Sequence, residues 1–258
     1  MHAVNTTSAA TARPRLSWFT FAAPAHFYRL AGVLGPVCGA VAAAFALAGL
    51  WMGFLVAPTD AVQGEVYRII FIHVPAAWLS MVLYVAMAFW AAIGWFLNAR
   101  MAFILARAIA PTGALFTVLA LWTGALWGRP TWGTWWVWDA RLTSELILLF
   151  LYLGYLALVA AIDDVRRADK AGALLAIVGV VNVPVIYFSV VWWNTLHQGS
   201  SLTMGAQQHL ASSMLAAMLL LTAACWAYAF AVVFARARAI VLEREGDTAW
   251  ARALAASF

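Results

Sequence analysis

Six apolar runs, each about as long as the roughly 20 residues a helix needs to cross a bilayer, constrain this chain more than any other feature. They fall at residues 32–56, 74–97, 108–127, 143–162, 171–193 and 211–235. In lipid, backbone N–H and C=O groups find no water, so runs of this length are expected as helices whose hydrogen bonds are internal. The chain is 66% hydrophobic and 10% charged, against about 45–50% and about 25% in ordinary soluble domains. The connections are short, which predicts one all-α integral membrane bundle of six transmembrane helices. We divide it into an N-terminal tail (1–31), the six-span membrane domain (32–235) and a C-terminal tail (236–258).

The basic residues set the orientation, because Lys and Arg are retained on the cytoplasmic side. In a six-span arrangement Arg13, Arg15, Arg29, Arg100, Arg107, Arg166, Arg167, Lys170, Arg236, Arg238, Arg244 and Arg252 share one side, and Arg68, Arg129 and Arg141 lie on the other. Both termini are therefore expected in the cytoplasm. The net charge of +5 follows from this asymmetry and implies a membrane-lipid environment, not a nucleic-acid partner. The N-terminal segment reads as a cytoplasmic tail rather than a cleaved signal peptide, since it lacks a compact apolar core before a small-residue cleavage site. Cys38 and Cys225 sit inside apolar runs, and there is no C-x-x-C-H, so the outer face can neither form a disulfide nor hold a c-type haem through cysteine.

On the outer side, residues 128–143 pack Trp132, Trp135, Trp136 and Trp138 with Arg129, Asp139 and Arg141 between two long apolar runs. Indoles favour the membrane–water interface. An aromatic belt is one reading of this segment, and a binding platform is the other. If it were helical, the four tryptophans would cover about half the circumference of a short helix. Asp139 or Thr143 is expected to cap the fourth span, with Glu145 favouring its positive end.

Between Thr59 and His73 the spacing of Tyr67, Ile70, Phe71 and Val74 predicts a short amphipathic helix on the outer surface, with Asp60 and Gln63 at its start. His73, just before Val74-Pro75, is expected at the outer mouth of the second span, its proline in the first helical turn. Asn182 and Pro184 should bend the fifth span. That span leads into the loop carrying His197. His209 is a third outer histidine with less in its context to mark it, and His2 and His26 belong to the tail. Each outer histidine alone could be a polar residue bonded to backbone or solvent.

No charge falls in the middle of a span, where it would cost about 2.5–3.5 kcal/mol and commonly mark an ion path. That argues against a transporter with its site at the midplane. No G-x-x-x-x-G-K-[ST] is present, so the chain has no P-loop. The outer face offers an aromatic platform, two histidines on separate loops and three arginines. Haem takes imidazole as an axial ligand and stacks on aromatic rings, and its propionates suit arginine. Tetrahedral zinc would need three or four ligands at defined spacing. Arg68, Arg129 and Arg141 are candidates to neutralise the propionates, and an interfacial anchor or an Arg141–Asp139 pair is the plainer reading.

The run Trp132-Gly133-x-Trp135-x-x-Trp138-Asp139-x-Arg141-Leu142-Thr143 resembles the tryptophan-rich "WWD" signature of haem-handling membrane proteins. Phe71-Ile72-His73-Val74-Pro75-Ala76 and Asn194-Thr195-Leu196-His197-Gln198 extend the resemblance to the cytochrome c maturation protein C (CcmC) family over almost the whole six-span core. The resemblance implies a bacterial inner-membrane protein, not itself an enzyme, that holds haem b at its periplasmic face and delivers it to the haem chaperone CcmE. It implies His73 and His197 as axial ligands, and Trp132, Trp135, Trp136, Trp138 and Asp139 as the platform. The small membrane protein CcmD and the ABC transporter subunits CcmA and CcmB are the implied partners. A haem lyase acting on CcmE, or a haem channel through the bundle, would be the alternatives.

Overall fold

The computed structural model describes residues 23–193, 195–197 and 211–257. His2, His209 and most of the N-terminal tail lie outside them. The regular elements among the described residues are helices, with the α-helices in the order α1 (Pro24–Trp51), α2 (Ile70–Leu97), α3 (Arg100–Trp132), α4 (Ala140–Ala161), α5 (Val165–Gly179), α6 (Asn182–Trp192), α7 (Ser212–Glu245) and α8 (Ala249–Ala255). Six stretches are long and apolar enough to cross a membrane, α5 and α6 together making one of them.

The helices run past the apolar windows at the basic end. α1 begins at Pro24 and α7 continues to Glu245, so the expected tail boundaries at 31 and 236 fall inside helices and His26 lies in the first turn of α1. Polar helix ends persist there because their charges find partners. Arg244 donates two hydrogen bonds to Asp169, both 2.8 Å, joining α7 to α5. Arg100 pairs with Glu245 at 3.1 Å. Asn98, in the left-handed conformation (φ 50°), ends α2 two residues before α3 starts. Arg107 is accordingly inside α3, about two turns from its start.

The α2–α3 hairpin is the centre of the bundle. In α2 and α3, 61% of the most apolar window is buried, whereas in α1 the figure is 11%. α1 packs mainly along α7 and leaves the rest of its surface to lipid. Because lipid tails are as apolar as leucine, such helices associate through close packing at small residues. A Cβ on Gly49 of α1 would stand 2.7 Å from Leu221 of α7, and one on Gly113 of α3 would stand 2.2 Å from the Tyr152 ring of α4. Tyr152 meets Tyr84 of α2 edge to face at 4.9 Å, and its hydroxyl donates to the Ser80 carbonyl.

The fifth span bends where expected, and the bend is a break. α5 ends at Gly179, and α6 restarts at Asn182, whose side chain donates to the Ser144 carbonyl of α4 at 2.9 Å. A polar side chain next to a proline two residues on thus re-satisfies backbone groups within the membrane.

The connection from α1 to α2 differs from the expected surface helix. Asp60 accepts from the backbone of Val62 and Gln63 at 2.9 and 2.8 Å and closes a tight turn. A 3-10 helix, Glu65–Ile69, then runs straight into α2. Tyr67, Ile70 and Phe71 share one face as their spacing requires, but that face is buried against α7 and the end of α1. Pro75 consequently sits in the second turn of α2, not the first.

Candidate functional site

At the end of the bundle opposite the Arg244–Asp169 and Arg100–Glu245 pairs, α2, α3, α4 and the loop after α6 surround a narrow cleft of about 50 Å³. From α2 come His73 and Ala77, one turn apart. α3 presents Ala120, Gly124, Trp127 and Thr131 at helical spacing, and then Trp132. α4 adds Arg141, Leu142 and Glu145, and Trp136 and His197 close the outer side.

The tryptophan segment is not one helix. α3 stops at Gly133, whose φ of 78° is the left-handed conformation that glycine adopts without a Cβ penalty. Gly133 N–H donates to the Arg129 carbonyl at 3.1 Å. Thr134 then bonds to the backbone of Trp136, and an irregular strand of chain leads to Asp139. This path divides the indoles. Trp132 and Trp136 line the cleft, whereas Trp135 and Trp138 are 55% and 77% exposed and do not line it. The indole N–H of Trp136 is buried without a hydrogen-bond partner, an orphan donor on the cleft wall.

The two histidines meet. Their ring centres are 6.1 Å apart with planes inclined by 33°. Two imidazoles sharing one metal, each bond about 2 Å long, would hold their centres about 6 Å apart. His73 is 7% exposed, its Nδ1 lies 3.0 Å from Thr123 Oγ1, and Trp127 packs edge-on against it at 5.7 Å. Trp127 is itself held by its indole N–H, which donates to Gln63. His197 is half-buried beside Trp132, ring centres 6.0 Å apart.

Asp139 links the tryptophan segment to His197. One of its oxygens caps α4 by accepting from Leu142 N–H at 2.8 Å, as expected of it. The other accepts from the Thr195 hydroxyl, and Thr195 Oγ1 accepts from the backbone N–H of His197 at 3.0 Å.

The three arginines are used differently. Arg141 lines the cleft and donates to the Ile186 carbonyl of α6 at 2.9 Å. Arg129 is exposed and donates to the Gly133 carbonyl, a helix-end bond. Arg68 is bound to Glu65 and to the carbonyls of Gly53 and Ala57, fastening the end of α1.

Sequence reading did not single out Thr123, Trp127 or Ser80, and it placed Gln63 only at a helix start. Glu145, read as a helix-end charge, is buried at the floor of the cleft and accepts from Ser80 Oγ at 2.7 Å. The available signal was a hydroxyl or a carboxylate within an apolar run, on the helix face shared with a histidine or an arginine.

Among the described residues no group of three or more His, Cys, Asp or Glu could hold a metal ion, so the histidine pair lacks the ligand set of tetrahedral zinc. Two neighbouring imidazoles, indole walls, a guanidinium and an unpaired N–H instead suit a flat metal-bearing ligand with acidic edges.

The fold and the cleft define a class: a multi-span helical membrane protein with paired imidazoles in an aromatic pocket at one end of its bundle. The chain belongs to the CcmC family, described as Heme exporter protein C, which it matches over residues 17–252. It is 52% identical to Heme exporter protein C of Escherichia coli K12 over 180 residues, 70% of this chain and 74% of that one. With Heme exporter protein C of Haemophilus influenzae it shares 43% identity over 240 residues, 91% and 96% of the two chains. It is also 46% identical over 176 residues, 68% and 73% of the two, to a ccmC-like mitochondrial protein of Marchantia polymorpha named for cytochrome c biosynthesis.

Proposed function

We propose that this protein receives haem b in the cleft between His73 and His197, at the periplasmic face of the bacterial inner membrane, and delivers it to the haem chaperone CcmE for c-type cytochrome assembly. The observation that carries the reading is the pair of imidazoles 6.1 Å apart in an indole-walled cleft. His73 and His197 supply the axial nitrogens. Trp132 and Trp136 stack against the macrocycle, and Arg141 with the Trp136 N–H takes a propionate. Asp139 acts at one remove by holding the His197 loop through Thr195.

Trp135 and Trp138 are exposed, which suits contact with CcmE or the lipid interface. The placement of Arg68 and Arg129 favours structural roles over propionate binding. CcmD and the ABC subunits CcmA and CcmB are the partners this reading implies. Delivery proceeds by loss of one imidazole from the iron, and the chain acts as a carrier subunit, not a lyase. The cysteines do not line the cleft, so a covalent bond to haem would have to use a nucleophile of the chaperone.

The test is the optical spectrum of the protein purified in mild detergent, with and without CcmE, beside His73→Ala and His197→Ala. A six-coordinate haem spectrum altered in both variants supports the site, and transfer of that haem to added CcmE supports delivery. A wild-type protein that binds no haem, or variants with unchanged spectra, would overturn the reading.

A further inference from the structure

Thr123 lies on α3 beneath the cleft and is 4% exposed. Its hydroxyl has a single hydrogen to give, and the Leu119 carbonyl takes it at 2.6 Å, with the Ala120 carbonyl further off at 3.3 Å. Toward His73 Nδ1, 3.0 Å away, Thr123 therefore presents a lone pair, and Nδ1 is the nitrogen that must carry a hydrogen. In a neutral imidazole one nitrogen donates and the other keeps its lone pair, so hydrogen on Nδ1 leaves Nε2 free.

The ring is also held in place. Trp127 lies against it edge-on, and Gly124 leaves the space it occupies, since a Cβ there would come within 3.1 Å of His73 Cε1.

We propose that Thr123 is a positioning residue for the cleft: by donating to Leu119 and accepting from His73 Nδ1–H, it selects the tautomer of His73 whose Nε2 can bind iron. This rests on reading the cleft as a haem site and adds a residue that sets the state of its ligand. The competing account is a threonine that merely back-bonds to its own helix, as hydroxyls in helices commonly do. The two accounts differ in what the His73 ring reports.

The first measurement needs no haem. Nitrogen NMR of ¹⁵N-histidine-labelled protein in detergent micelles, with the His73 signals assigned by their loss in His73→Gln, reads the tautomer. Wild type and Thr123→Ser should show a protonated Nδ1 and a bare Nε2. Thr123→Val, similar in shape but without the hydroxyl, should show a mixture of both forms. In haem titrations Thr123→Val should bind about 10- to 100-fold more weakly, the usual loss when the hydrogen-bond partner of a metal ligand is removed, while Thr123→Ser stays near wild type.

Protonated Nε2 in the wild type would overturn the assignment. So would a Thr123→Val protein with unchanged tautomer and affinity, or Thr123→Ser impaired as much as Thr123→Val. Wild-type protein with the assigned tautomer but no affinity for haem would overturn the cargo reading and leave the assignment of Thr123 standing.

Discussion

The two histidines of the cleft are held by different kinds of structure. His73 is part of a continuous helix at the centre of the bundle, buried, and fixed through its ring by Thr123 and Trp127. His197 is half-buried on a loop beyond a short helix that follows a break, and it is tied through its backbone by Thr195 and Asp139. α6 has two buried residues, Ile186 and Ser189. On the proposed reading, a ligand that must be handed on needs one firm attachment and one that gives way, and the difference between α2 and α6 would provide that pairing.

The largest expected effect tests this asymmetry. His73→Ala should reduce haem affinity by more than the roughly 10- to 100-fold typical of losing a ligand's supporting partner. His197→Ala should keep a weaker, five-coordinate haem, visible in its optical spectrum. Equal losses in both variants would break the comparison. Next comes a control at the far end of the bundle. Asp169→Ala leaves the partly buried Arg244 without its partner and should cost about 1–3 kcal/mol of stability, read by thermal unfolding in detergent, with the haem spectrum unaltered in protein that remains folded.

A smaller effect acts on the His197 side alone. Asp139→Ala removes a helix cap, worth about 0.5–2 kcal/mol, and releases Thr195. Haem-free histidine NMR should then show the His197 signals shifted and those of His73 unchanged. The smallest separates the arginines. Arg129→Gln should change haem affinity by no more than about two-fold, as expected for a surface substitution of roughly 0.5 kcal/mol. Arg141→Gln should weaken binding clearly more, and equal effects would return Arg129 to the site.

Much of the fold was legible because length and hydropathy dominate in lipid: apolar runs of sufficient length must be helices, and six of them form the bundle. Helix ends were less legible. α7 extends into charged sequence because Arg244 and Glu245 pair with Asp169 and Arg100, distant in the chain, which local hydropathy does not register. The division of the tryptophan segment turns on the left-handed Gly133 and the Thr134 side chain, so helical periodicity projected onto residues 128–143 placed all four indoles on one face. The histidine pair, the caging indoles and Asp139 were recognisable from their motifs. Thr123 and Glu145 matter through their contacts with α2, and a contact between helices leaves no local pattern in either one.

The pairing of α1 with α7 has a bearing on how the protein is made. Synthesis proceeds from the N-terminus at about 5–20 residues per second, so a helix partner that begins roughly 160 residues after α1 ends arrives on the order of ten seconds later. Until then α1 has lipid for a neighbour along most of its length, while the α2–α3 hairpin can already form. Closure of the bundle therefore waits for α7, and a product truncated before it leaves α1 without its main helical partner.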